Sequence, residues 1–247
     1  ANLKVTDWLT LQARGNLDHS ADKLRQKFYA STATALCGMN GRYIEMDYQE
    51  TQMYGDVMAM VKKQLNDFTL DVAIGGSIND RITNSTRIDS KNASLKYANV
   101  FNLANIVMSS SASIDQKIDA HYQLQSVFAT AQIGYKEGVF LDLTARNDWS
   151  STLAYTKYEK KGFFYPSVGV SFLPDKWVKM PEWVSFSKLR GAYSIVGNGV
   201  PPFITYPVSY VTAGGEILAS DAAPFAEMKP EMTHSVELGM EWKFLQH

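Results

Sequence analysis

In residues 139–147 apolar and polar positions alternate. Val139, Leu141, Leu143 and Ala145 fall on one side, and Asp142, Thr144 and Arg146 on the other. A strand sends successive side chains to opposite faces, so this segment is an amphipathic strand. Just upstream, Val127, Ala129, Ala131, Ile133 and Tyr135 alternate with Ser126, Thr130 and Gln132. Between the two lies Lys136-Glu137-Gly138, a short hairpin connection with Gly138 where positive φ is expected.

The signature recurs in residues 9–17, 68–74, 167–172, 188–195 and 236–244. Residues 51–62 are ambiguous, because Met53, Val57, Met60 and Val61 also suit a helix. About eight strands are therefore legible. Alternation alone also describes a soluble β-sandwich. Three features favour a transmembrane barrel. Short links (64–67 and 136–138) and long ones (18–46, 80–122, 148–164 and 197–232) fall on opposite ends of the strands. The polar face is ionic in both signs, with Arg14, Asp71, Asp142, Arg146, Lys188, Arg190, Glu237 and Glu241 expected to face a wet lumen. Aromatics gather at strand ends: Trp242 and Phe244 on the last strand, Trp177, Trp183 and Phe186 around a turn, and Tyr135 and Phe140 beside the tight hairpin.

Composition narrows the function. The net charge of -1 gives no electrostatic case for a nucleic-acid partner. No stretch approaches the ~18 apolar residues of a membrane helix, which leaves a barrel open. A single cysteine, Cys37, rules out an intrachain disulfide, and the four histidines, His19, His121, His234 and His247, lack ligand spacing. Neither a metal nor another cofactor is expected.

Five phrases resemble the SusC/RagA family of TonB-dependent outer-membrane transporters. They are YANVFNLANI (97–106), FLDLTARNDWSSTL (140–153), FFYPSVGVSFLPD (163–175), KLRGAYSIVGNG (188–199) and MKPEMTHSVELGMEWKF (228–244). The resemblance covers roughly residues 66–245. Met228 and Ala192 depart from the residues usual in the family, Leu and Ser. The resemblance implies an all-β, antiparallel section of a barrel of about 22 strands. On that expectation residues 1–247 are one barrel section, with the plug domain and the C-terminal strands lying outside it. It further implies multi-pass residence in the outer membrane of a Gram-negative, Bacteroides-like bacterium. The implied activity is import of a large nutrient, an oligosaccharide ahead of a peptide. A SusD-like surface lipoprotein is the implied lid, and the TonB complex the implied drive, acting through the plug.

Individual residues carry alternatives. Arg146 and Asp148 are candidates for contact with the plug or ligand, and Trp149 for stacking on a sugar; strand termination with an interfacial Trp explains the same residues. Phe203, Tyr206 and Tyr210 form an aromatic stretch that could line a ligand cavity or pack within its loop. Residues 18–28 read as a short helix in an outer loop, with Leu24 and Phe28 inward. Gly197-Asn198-Gly199 lacks the following Lys and reads as a turn, and Gly75-Gly76-Ser77 as a relaxed outer strand end. Glu237 and Glu241 sit ~13 Å apart along one strand, beyond the ~5–9.5 Å of a glycosidase pair. No Ser/His/Asp constellation is visible, so an enzyme is not expected. A surface adhesin without transport and a soluble carbohydrate-binding sandwich remain as alternatives.

Overall fold

A computed structural model describes residues 1–91, 95–107, 113–206, 208–211, 216–220 and 223–245; of these, the side chains of 113–120 and 210–211 are outside the description. The elements are β1 (Asn2–Lys4), β2 (Leu9–Phe28), β3 (Arg42–Leu65), β4 (Phe68–Asp89), β5 (Ser113–Tyr135), β6 (Val139–Ser150), β7 (Phe163–Phe172), β8 (Val184–Asn198), β9 (Tyr210–Val211), β10 (Ile217–Leu218) and β11 (Glu231–Phe244). Nine of them form one antiparallel sheet in the order β1-β2-β3-β4-β5-β6-β7-β8-β11, open at β1 and β11. β9 and β10 pair separately in the connection before β11. The short links all lie at one end of this sheet and the long ones at the other, as the spacing of the strands predicts.

Pairing decides what each face carries, because directly paired residues share a face. One chain of partners runs Leu11, Ala59, Ile74, Ala129, Ala145 and Pro166. Another runs Val168, Tyr193 and Val236 on the same face. These rows build an apolar belt whose side chains meet no second layer. Ile74 is 57% exposed and Leu238 86%. A soluble sheet with so much open apolar surface would aggregate, whereas a membrane sheet needs it. On β4 the belt runs from Phe68 to Ile78, and Asp80 ends it. About ten steps of ~3.3 Å, tilted by ~40°, give a height of ~25 Å, the height of the lipid-facing band of outer-membrane barrels.

At the short-link end Phe68 meets Tyr135 with ring centroids 4.7 Å apart, and Tyr135 meets Trp177 at 5.7 Å. Trp183 stacks on Phe244, which stacks on Trp242. These rings form the expected aromatic edge. Phe140 and Phe186 do not belong to it, because their register puts them on the polar face with Asp142 and Lys188.

Several local expectations are corrected or settled. Residues 18–28 are strand, paired with 42–52, and not helix. Leu24 and Phe28 are four apart, a spacing that shares a face in both geometries. Residues 51–62, where strand and helix periods both fit, are strand. The long strands β2, β3 and β4 have 20, 24 and 22 residues, about twice what crossing a bilayer takes, so their upper halves stand above the belt as a ribbon. The outer connection between β2 and β3 shrinks to residues 29–41. In the hairpin at 135–138, Lys136 and Glu137 carry the positive φ, at 48° and 53°, while Gly138 does not. Gly138 is there for space: a Cβ would lie 2.0 Å from Trp177 Nε1. Gly75 lies in mid-strand, where its missing Cβ admits Phe128, and Gly197-Asn198 are still in β8.

Putting an arginine at the middle of the belt tests the assignment of faces. Ile74→Arg should cost ~2–4 kcal/mol and lower the amount of folded full-length protein in membranes, whereas Asp71→Arg, on the other face, should not. Quantifying heat-modifiable protein in outer-membrane fractions checks this, and equal loss in both variants would contradict it.

Candidate functional site

The polar face is where chemistry can be done, and the register assembles it from every long strand. Arg14 pairs with Asp56, which continues through Ser77 and Ser126 to Asp148. Asp71 continues through Gln132, Asp142, Gly169 and Ala192 to Glu237. Lys188 stands opposite Glu241, and Arg190 opposite Gly239. All seven nominated charges therefore share one face, together with Arg146 and Asp148.

Most of these charges have a partner within the sheet. Arg14 Nη2 reaches Asp56 at 2.9 Å, with Nε at 3.1 Å from both carboxylate oxygens. The Asp56 side chain is wholly buried while Arg14 is half exposed. Lys62 meets Asp71 at 2.8 Å, and Gln132 donates to Asp142 at 2.7 Å. Arg146 bonds Asp148 at 2.7 Å and Ser126 Oγ at 2.7 Å. Glu241 pairs with Lys243 at 3.7 Å. Arg190 lies flat over Gly239, where a Cβ would fall 2.5 Å from its Nε. Tyr165 covers Gly197 in the same way, at 2.2 Å from ring atom Cε1.

The other candidates separate. Trp149 points to the opposite face from Arg146 and Asp148, in the row of Gln125 and Ile78 at the upper edge of the belt, and against Gly162. That position suits an interfacial anchor rather than a partner of the Arg146–Asp148 pair. Tyr206 packs against Tyr155 with centroids 4.6 Å apart and planes tilted by 34°, and both rings are open to solvent. Phe203 is exposed, with φ of 64°. The side chain of Tyr210 lies outside the described residues. Among the described residues no group of three His, Cys, Asp or Glu could hold a metal ion.

The ribbon above the belt carries groups that sequence reasoning missed. Arg81 Nη2 bonds Glu50 at 2.6 Å, and Tyr48 donates to the same carboxylate at 2.8 Å. Arg42 grips Asp89 through Nε at 2.8 Å and Nη2 at 2.7 Å, and Arg87 adds a bond of 2.7 Å. Burial pushes the Asp89 carboxyl up, but Arg42 and the Lys91 amide outweigh it, so it titrates below the ordinary range. On the opposite face Glu45 accepts from Tyr43 and meets Lys23 at 2.9 Å. Tyr43 first and Lys23 second lower its pKa from 4.5 to about 2. The signal for these groups was available: Tyr48/Glu50 and Arg87/Asp89 are i, i+2 pairs, neighbours on one strand face.

Two outcomes follow. Arg14→Ala strands a buried carboxylate and should destabilise the full-length barrel by about 1–3 kcal/mol, more than Asp56→Ala, which leaves a half-solvated guanidinium. Urea unfolding in lipid vesicles compares the two; the reverse order would refute the burial argument. Glu45 has a lowered folded pKa, so its contribution is complete above pH 4.5 and fades as pH falls toward 2. Hydrogen exchange at residues 42–48 should rise across that window in the native protein and stay flat in Glu45→Gln.

The sequence matches the family described as TonB dependent receptor-like, beta-barrel over residues 2–246. No curated protein sequence gives a significant match. Among solved structures, the RagAB peptide transporter matches with a TM-score of 0.75 and 18% identity over 97% of this chain. The RagAB peptide importer in its open-open state matches with a TM-score of 0.73, also at 18% identity and 97% coverage. The chain spans 27% and 26% of those two chains, so it corresponds to about a quarter of such a protein. At that identity the likeness is one of fold. With the sequence match covering nearly every residue, the chain belongs to the TonB-dependent receptor-like β-barrel family.

Proposed function

We propose that this chain forms part of the wall of an outer-membrane importer that takes up a large nutrient, an oligosaccharide ahead of a peptide. The observation that carries the proposal is the division of the sheet into an unpaired apolar belt and an opposite face of paired charges. Such a wall separates lipid from a wet interior. The lumen side is then the face of Arg14, Asp71, Asp142, Lys188, Arg190, Glu237 and Glu241. Arg14, Asp71 and Glu241 have ion-pair partners, and the seven include both signs, so they give the wall a polar coating without a strong field of either sign. A long solute can slide along such a surface with no single deep trap.

Drive must come from outside this wall. In this reading a plug domain elsewhere in the protein fills the lumen and takes force from the TonB complex. A SusD-like surface lipoprotein covers the outer end. The family membership and the name RagAB, which denotes a peptide importer of related fold, support both partners. The long connections and the ribbon of β2, β3 and β4 reach toward that lid. Arg146 and Asp148 on the lumen side are candidates for contact with the plug or the passing ligand. The rings of Phe203 and Tyr206 sit in the loop above, and the pairing of Tyr206 with Tyr155 supports an aromatic platform there, to which Tyr210 is a further candidate from the sequence. A catalytic role has no support on this face: Glu237 and Glu241 are too far apart for a glycosidase pair, as their four-residue spacing along a strand requires.

Uptake measurements in the native bacterium test the proposal. Cells carrying the intact gene should accumulate the nutrient, and deletion of tonB or dissipation of the proton gradient should abolish accumulation while surface binding persists. Undiminished accumulation without TonB would refute active import. Ligand held at the surface in every strain would instead identify an adhesin.

A further inference from the structure

Above the belt, residues 198–202 leave the end of β8 and reach the polar face of β3, β4 and β5. The sheet order makes this a long crossing, since β6 and β7 stand between. It is possible because β6 ends at Ser150 and β7 begins at Phe163, below the ribbon. The strap is fixed at both ends. Asn198 is paired with Glu231 in the sheet. Val200 is buried with Leu153 and Phe163, and Thr205 Oγ1 donates to the Thr152 carbonyl at 3.2 Å. Under it lies a cavity of about 500 Å³, with Tyr48, Arg81 and Tyr122 as its wall and Pro201 and Pro202 in its roof. That size is within the ~300–1,000 Å³ of small-ligand sites.

We propose that this cavity is a subsite for an uncharged sugar ring of the imported ligand, a proposal that rests on the import reading above. Charge is the first argument. The Arg81 guanidinium is paired with Glu50, and Tyr48 bonds the same carboxylate, so the wall presents no net charge to a phosphate, a carboxylate or a cation. Shape is the second. Two phenol rings on the wall and two proline rings in the roof give flat apolar surfaces, against which the C–H face of a pyranose packs. Hydrogen-bond polarity is the third. Prolines have no N–H, so at positions 201 and 202 the roof offers only carbonyl acceptors. A sugar answers with hydroxyl donors all round its rim. The bridge between Arg81, Glu50 and Tyr48 also holds the wall rigid, which lowers the cost of ordering it on binding.

Calorimetry on the purified full-length protein tests this with three probes: neutral hexasaccharides (maltohexaose, cellohexaose and xylohexaose), hexagalacturonate, and a set of uncharged hexapeptides. A neutral hexasaccharide should bind, and Tyr48→Ala and Tyr122→Ala should each weaken it about 10-fold or more. Heat-modifiable migration on gels establishes that each variant is folded. Where an alanine variant fails that check, Pro202→Trp, which fills the cavity from the roof, replaces it with the same expected loss. Binding of the acidic sugar or the peptides in place of the neutral sugars overturns the proposal. So does failure of every neutral sugar to bind, or affinity within twofold of the parent in the folded variants. The import reading fails separately. Peptide uptake that needs TonB would remove the sugar subsite and keep the importer. Sugar binding weakened by the variants, with uptake indifferent to TonB, would do the opposite.

Discussion

Everything in this structure depends on an unbroken antiparallel ladder through the belt. Hydrocarbon offers no partner to a backbone N–H or C=O, so each must be met by the neighbouring strand. The side-chain period of two then ties the ladder to the faces: a slip of one residue on any strand would turn its charges into lipid. The two register irregularities of the large sheet lie where this matters least. One falls between Ile82 and Asn84, above Asp80 and so above the belt. The other falls between Lys243 and Phe244, at the aromatic edge. Between them the parity holds from β2 to β11, which is why seven charges scattered from Arg14 to Glu241 share a face.

The same constraint shapes the polar face. Charges there cannot reach lipid, so they settle on one another. They do so in the plane of the sheet, as with Arg14 on Asp56 or Lys62 on Asp71. Glycines deepen the effect. Tyr165 lies on Gly197, Phe128 reaches over Gly75, and Arg190 lies along Gly239. Large side chains laid flat against a strand occupy little of the interior. A wall built this way leaves room for whatever fills the barrel while keeping its polar coating.

The strands of the belt were legible because one face is apolar and the other is not. Residues 139–147 announce their geometry in nine letters. The ribbon was not legible for the complementary reason. Both its faces meet water, so Asp18, Ser20 and Asp22 on one side and His19, Ala21 and Lys23 on the other make no contrast. With the alternation gone, the four-residue spacing of Leu24 and Phe28 was the remaining cue, and it cannot tell helix from strand. The site followed the same rule. Alternation along each strand found the charges of the polar face, while the partners Asp56, Glu50 and Arg81 lay in segments whose period was ambiguous. Trp149 was grouped with Arg146 and Asp148 by adjacency in sequence, although the period of two sends neighbours to opposite faces.

The most family-like phrase of the first half, residues 97–106, shows how a motif can mark architecture before it marks a ligand. Its Asn105 is buried; its amide donates to the carbonyls of Tyr97 and Val100 at 2.8 and 2.6 Å, and its oxygen accepts from the Tyr97 amide. Asn99, in a left-handed conformation, accepts from the Ala30 amide and ties this loop to the β2–β3 connection. Asn40 returns the tie by donating to the Leu95 carbonyl. Leu95, Ile106 and Tyr43 then close a small core at the tip of the ribbon. The asparagine amide serves all three places because it can accept, as at Asn99, donate, as at Asn40, or do both, as at Asn105, where a loop has no ladder. Such a tip holds the upper wall of the cavity under the strap in a fixed place, since β3 and β4 carry both. The geometry of that cavity therefore rests on loop asparagines that are not among its lining residues.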